Sequence, residues 1–197
     1  MGRQDFVEGI INYMKFKTVF LNIFVSALLS SGVIAIMAFL FSDFGNTVSD
    51  LLITLSFLAI YSFFALSSGV LYDQKKYPYV FYLGIGASLI GFLYTTGVIW
   101  DFINIRDEIK FGIILFILAA SIAHTSLLLQ IQSEKAITKT LSIATIFCIG
   151  AVAALLIFLI LNEFGDVEEF YYRLLGVLVV LDVLGTIITS LSNRIDW

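Results

Sequence analysis

Two titratable side chains, Asp182 and His124, lie in apolar stretches of the sequence that are otherwise almost free of charge. A carboxylate at the centre of a membrane-spanning helix costs about 3 kcal/mol on insertion scales, so it needs a partner inside the protein. An imidazole changes its charge near neutral pH, and a carboxylate beside it can exchange a proton with it. Together with the hydroxyl residues Ser67, Thr125 and Thr186, these two side chains form a candidate intramembrane polar site.

The candidate site has two interpretations. In the first, Asp182 and His124 form a proton or cation relay. In the second, Asp182 is protonated or hydrogen-bonded to hydroxyl groups of neighbouring helices, and His124 is a polar residue with a satisfied hydrogen bond. His124 follows Asp101 by 23 residues and Asp182 follows Glu163 by 19, so their depths differ by about one helical turn, ~6 Å. These spacings predict depth but not the direction in which each side chain points.

The composition predicts an integral membrane protein built from helices. Of the 197 residues, 60% are hydrophobic and 13% are charged, and the mean hydropathy is +1.01. A helix needs about 20 apolar residues to cross the hydrocarbon layer, whereas a membrane strand needs about 10 that alternate with polar ones. Six continuous apolar stretches of 22 to 25 residues are long enough to span as helices: residues 17–41, 50–72, 78–100, 109–131, 140–162 and 170–191.

A repeated landmark organises these six spans. An apolar run ends at an acidic residue followed by Phe at Asp43, Asp101 and Glu163, which are 58 and 62 residues apart. A period of about 60 residues corresponds to two membrane-crossing helices with two short loops, and a fixed period indicates copies of one unit. The predicted fold class is therefore all-α, with six transmembrane helices arranged as three pseudo-repeated helical hairpins.

The two ends of the chain lie outside the predicted spans. In residues 1–16, Phe6, Ile10, Ile11 and Met14 recur at helical spacing. This pattern predicts either a short amphipathic helix in the headgroup plane or a cytoplasmic extension of the first helix. The six-helix transmembrane domain then covers residues 17–191, and residues 192–197 form a tail.

The distribution of charge predicts the orientation in the membrane. Eight of the eleven Lys and Arg residues fall on the side that holds both termini. The opposite side carries three basic and nine acidic residues. Because basic loops remain in the cytoplasm, we expect both termini to be cytoplasmic, in a plasma or inner membrane, with the acidic loops outside.

Proline and the small residues indicate continuous, closely packed helices. Pro78 is the only proline, and it stands at the start of the third span, where a helix has no partner for the N–H that proline lacks. Small residues four apart, such as Ala87, Gly91 and Thr95, predict close approach of the odd-numbered helices to their neighbours. Most polar residues within the spans belong instead to spans two, four and six.

No motif in the sequence indicates an enzyme. H-E-x-x-H, G-x-S-x-G and His/Cys clusters at metal-ligand spacing are all absent, and one histidine cannot hold a haem between two imidazoles of the same chain. Cys148, the single cysteine, is interpreted as a small packing residue within the fifth span. We therefore expect a protein without catalytic activity, cofactor or metal, and without a nucleic-acid partner.

These observations leave two function classes. The preferred one is a non-catalytic subunit or scaffold of a membrane complex, whose partners are the lipid bilayer and another membrane protein or a second copy of the chain. The alternative is a small-solute or proton-linked transporter or channel that uses the polar residues of spans two, four and six. The first is preferred because carriers of polar solutes usually have several mid-membrane charges and interrupted helices.

Overall fold

The computed structural model describes residues 18–19, 21–26, 28–30, 32–37, 45–71, 77–105, 107–131, 136–162 and 168–192, and these residues form helices and turns but no strand. A shorter apolar helix, α1 (Leu21–Met37), comes first. Five helices that are long and apolar enough to cross a membrane follow it: α2 (Asn46–Gly69), α3 (Pro78–Ile99), α4 (Glu108–Leu129), α5 (Ala136–Leu161) and α6 (Glu169–Ser192).

The five long helices confirm that predicted spans two to six are helical. Helices α2 and α5 begin four residues before the predicted spans, at Asn46 and Ala136. Their first turns contain polar residues, so hydropathy, which marks only the apolar part of a helix, places the start too late. The predicted interfacial segment 1–16 and residues 193–197 of the tail lie outside the described residues, as do both ends of the predicted first span.

Among the described residues, the five long helices contact mainly their neighbours along the chain. Helix α2 contacts α3 and α4, α3 also contacts α4, and these three helices are called the α2–α4 block. Helix α4 then contacts α5, and α5 contacts α6; the last two are called the α5–α6 pair. Earlier in the chain, the ring of Phe24 in α1 lies 6.4 Å from that of Phe63 in α2.

Glycines allow the closest helix contacts. A methyl group added at Gly84 of α3 would overlap the buried side chain of Ser68 of α2, and one added at Gly91 would overlap the ring of Tyr61. Small residues let helix backbones approach and gain dispersion contacts, which drive helix association in a bilayer. The close approach predicted at Gly91 is therefore a contact between α3 and α2.

The centre of the α2–α4 block is an aromatic cluster around Tyr61, whose side chain is 2% exposed. The rings of Phe57, Phe64, Phe92 and Phe116 surround it, with centroids 5.9 to 6.4 Å from its own. Most of these contacts are edge-to-face, the geometry in which the positive ring edge meets a negative ring face. This cluster joins all three helices of the block.

The outside of the bundle is apolar along every helix. Large side chains such as Leu29, Ile90, Phe147 and Val180 are more than half exposed. In water such a continuous surface would cause association, whereas lipid tails solvate it. The apolar surface and the high hydropathy of the five long helices therefore both indicate a membrane protein.

Candidate functional site

His124 of α4 lies beside two polar side chains of α6. Its Nε2 atom is 3.1 Å from Oγ1 of Thr186, and its Nδ1 atom is 3.8 Å from Oδ2 of Asp182. Asp182 and Thr186 are four residues apart, so they occupy the same face of α6. The structure thus brings three of the five candidate residues together. It also shows how α4 and α6 are rotated about their axes, which the sequence spacing does not predict.

Helix α5 holds α6 in the position that makes this contact. A methyl group added at Gly185 of α6 would overlap the side chain of Thr145 of α5. Closer to the end of α6, the hydroxyl oxygens of Thr138 and Ser192 are 2.7 Å apart. Since α4 also packs on α5, these two contacts direct the polar face of α6 toward α4.

The site is only partly enclosed by the protein. The side chain of Asp182 is 14% exposed and that of His124 is 35% exposed. Within the described part of the chain, Oδ1 of Asp182 is buried and has no hydrogen-bond partner. An ionised carboxylate offers about four acceptor positions, so this group retains unused hydrogen-bonding capacity.

The hydrogen-bond geometry defines what the three groups can exchange. When the Thr186 hydroxyl donates to Nε2 of neutral His124, the ring proton resides on Nδ1 and points toward Asp182. The separation of 3.8 Å is too long for a direct hydrogen bond, so a small rotation or a bridging water is needed before a proton passes. The arrangement can hold a proton between an imidazole and a carboxylate.

The order of hydroxyl, imidazole and carboxylate is also that of a Ser-His-Asp triad. Acyl transfer further requires a substrate cavity and donors that stabilise the oxyanion. Thr186 lies within α6, where the backbone N–H groups already donate to helical carbonyls. Three cavities lined by described residues have volumes of about 290, 430 and 320 Å³, and none of them is lined by these three side chains.

Ser67 and Thr125 lie elsewhere. The Ser67 hydroxyl donates to the carbonyl of Phe63 within α2 at 2.9 Å, and its own carbonyl accepts from Nε2 of Gln130 at 2.9 Å. Thr125, with Ser121, lines the cavity of about 430 Å³ between α3, α4 and α5. These two predicted site residues therefore do not join the group around His124.

Other polar contacts between helices were not predicted as pairs. The hydroxyl oxygens of Ser68 and Ser126 are 3.3 Å apart, joining α2 to α4 near the point where Gly84 lets α3 approach. The hydroxyl oxygens of Tyr61 and Thr95 are also 3.3 Å apart, between α2 and α3. The available signal was polarity within an apolar span, which identifies such residues but does not pair them.

No group of three or more His, Cys, Asp or Glu side chains that could hold a metal ion occurs among the described residues. The three polar groups around His124 provide one carboxylate, one imidazole and one hydroxyl. They can bind and transfer a proton, and they can hold two helices together.

The chain matches no model of a known protein family, no curated protein and no solved structure. Its class therefore follows from its own fold and composition. Five long apolar helices, an apolar exterior and a small polar site inside the spans are the properties of a helical membrane protein.

Proposed function

We propose that this protein is a non-catalytic subunit or scaffold of a membrane complex. The observation that carries the proposal is the contact of His124 with Asp182 and Thr186, which links α4 to α6 across α5. Hydrogen bonds between polar side chains hold transmembrane helices together, at about 0.6 kcal/mol per pair on average. A solute site would need a concave cavity with polar groups in its wall, and the described cavities have almost entirely apolar linings.

The proposed architecture consists of six membrane crossings in three related hairpins, with both termini in the cytoplasm. The even-numbered helices α2, α4 and α6 begin at residues 46, 108 and 169, which are 62 and 61 residues apart. This spacing supports the repeat, because equal spacing of equivalent helices is what duplicated hairpins produce. The acidic loops then lie on the external side of a plasma or inner membrane.

The proposed partners are lipid and either another membrane protein or a second copy of the chain. Thr189 is the only buried residue of α6, whereas α2 has six buried residues. Polar groups within a membrane usually face protein or water, and His124 is one third exposed at the edge of α6. A helix from a partner would remove that exposed imidazole surface from lipid.

The same polar site supports a second candidate, a proton-linked carrier. The supporting observation is the distance of 3.8 Å between Nδ1 of His124 and Oδ2 of Asp182, short enough for exchange through one water or a small rotation. Carboxylate and histidine chains of this kind form proton relays in membrane pumps and transporters.

The substitution Asp182→Asn separates the two candidates. It keeps the size of the side chain and removes its charge, and Asp101→Asn is the matched control at an exposed loop position. For a scaffold, Asp182→Asn lowers the thermal unfolding temperature in detergent or changes the oligomer size. In addition, neither it nor the wild type moves protons in sealed vesicles under an imposed pH gradient.

A pH-driven flux in wild-type vesicles that is lost in Asp182→Asn and retained in Asp101→Asn would reject the scaffold proposal in favour of the carrier. The scaffold proposal also predicts a stoichiometric complex after gentle solubilisation, measured as a molar mass above that of one chain by light scattering. A chain that is monomeric at all concentrations and co-purifies with no stoichiometric partner would contradict it.

A further inference from the structure

A partly open cavity of about 290 Å³ lies between the helices of the α2–α4 block, beside the end of α3 and the beginning of α4. Its wall is almost entirely apolar and is contributed by three helices. The residues that define its shape are Phe57, Val98, Ile109, Gly112, Ile113 and Phe116. An engineered apolar cavity of about 150 Å³ is large enough to bind benzene, so this one can hold an apolar group about twice that size.

Hydrogen bonds close the structure around the loop end of the cavity. Nε1 of Trp100 donates to Oγ1 of Thr54 at 3.0 Å and ties the end of α3 to α2. The Tyr94 hydroxyl donates to the carbonyl oxygen of Glu108 at 3.1 Å and ties α3 to the first turn of α4. At the deeper end, the rings of Phe57 and Phe116 meet edge-to-face with centroids 6.3 Å apart.

Two of the lining residues, Thr95 and Glu108, have polar side chains, and each side chain makes a hydrogen bond. Oγ1 of Thr95 is 3.3 Å from the hydroxyl of Tyr61, and Oε2 of Glu108 accepts from the backbone N–H of Ile105 at 3.2 Å. A buried water needs about two to four polar partners, and the wall of this cavity is almost entirely apolar. An empty cavity would also forfeit the dispersion contacts of its lining atoms.

The exposed side of the cavity lies along α4. Ile109 and Ile113 both line it, and their side chains are 67% and 44% exposed. Ile109 begins the predicted span 109–131 and Ile113 lies one turn inside it, so we expect an apolar chain to reach the cavity laterally from the bilayer. These observations favour a hydrocarbon chain as the occupant, because such chains are present at high concentration in the membrane.

We infer that this cavity is a binding site for one acyl chain of a membrane lipid. The acyl chain fills the space between Phe57, Val98 and Gly112, and the rest of the lipid remains in the bilayer beside Ile109. The bound lipid packs against all three helices and stabilises their arrangement. This site does not depend on the scaffold or carrier role, because His124 and Asp182 are not part of its lining.

Gly112→Leu tests the site by filling the cavity with a side chain. A Cβ atom at Gly112 would make only ordinary contacts with the Tyr94 ring, at 3.7 and 3.9 Å, so the backbone accepts a side chain there. Gly86→Leu is the matched control, because a Cβ atom at Gly86 of α3 meets nothing within 4 Å and Gly86 does not line the cavity. Ile113→Phe is a second filling substitution in case Gly112→Leu does not fold.

The measurement is native mass spectrometry of the purified chain after release from a mild detergent. We expect the wild type and Gly86→Leu to retain one lipid, whose mass distinguishes a two-chain phospholipid from a fatty acid. Either filling variant should lower the fraction of protein with bound lipid about tenfold. The new side chain occupies the space of the acyl chain, and placing both in the cavity would overpack it. A wild type without retained lipid, or equal retention in both filling variants and the control, would overturn the inference.

Discussion

The α2–α4 block and the α5–α6 pair use different interactions to join helices of similar length. In the block, Gly84 and Gly91 let α3 approach α2, and the aromatic cluster around Tyr61 fills the centre. In the pair, α6 contacts α5 through Gly185 and Thr145, and its contact with α4 is the polar group at His124. Both regions therefore combine close packing with polar contacts, but α6 meets α4 through a polar group, whereas α4 meets α2 through the aromatic cluster as well.

This difference shows how a helix can be held at the edge of a membrane bundle. Apolar side chains give α6 no preference for protein over lipid, because lipid tails are equally apolar. Close backbone approach and polar side chains provide the preference instead. Substitutions that remove either kind of contact should therefore affect the two regions differently.

The largest expected effect is that of Gly84→Ala in the α2–α4 block. The added methyl group overlaps the fully buried Ser68, so α2 and α3 must separate at a cost of about 1 to 3 kcal/mol in unfolding free energy. Gly86→Ala in the same helix has open space and serves as the control. Thermal unfolding in detergent measures the change, and equal unfolding temperatures for both variants would show that the approach at Gly84 is not tight.

A smaller effect is expected at the polar contact of α6. Asp182→Asn and His124→Gln, combined in a double-mutant cycle, should show a coupling energy of about 1 kcal/mol, because membrane hydrogen bonds and ion pairs are individually modest. The cycle uses unfolding free energies in detergent. Additive effects of the two substitutions would mean that the contact at 3.8 Å contributes nothing to holding α6.

Tyr61→Phe should have a smaller effect still. The substitution removes the hydroxyl that lies 3.3 Å from Oγ1 of Thr95 but keeps the ring that contacts four phenylalanines. We expect a loss of about 0.5 kcal/mol in unfolding free energy. Tyr82→Phe, at a side chain that is 65% exposed, is the control. A loss as large as that of Gly84→Ala would show that polar contacts also dominate the block.

The smallest effect is expected at the ion pair between Arg173 and Glu169. Their side chains are 2.9 Å apart but are 75% and 79% exposed, so solvent screens the attraction. Glu169→Gln should leave the unfolding temperature unchanged at both low and high salt. A decrease comparable to that of Asp182→Asn would indicate that this end of α6 is anchored by charge.

The positions of the helices were predictable to within four residues, whereas most of the polar pairings were not. Pro78 begins α3 as predicted, because a helix start has no partner for the missing N–H. Polarity alone groups Ser67 and Thr125 with Asp182, but the Ser67 hydroxyl donates to the carbonyl of Phe63 in its own helix and Thr125 lines a separate cavity. Polarity in a span indicates that a partner is needed but does not identify it.

The sequence by itself predicted a membrane-type helical protein with six apolar spans, and the structure has spans two to six as long helices, because length and hydropathy act along one chain. The tertiary structure decided which faces meet. The contact of His124 with Asp182 and Thr186 depends on the rotation of α4 and α6 about their axes, which Gly185 and Thr145 set through α5. That rotation arises from packing between helices distant in sequence, so no local pattern encodes it.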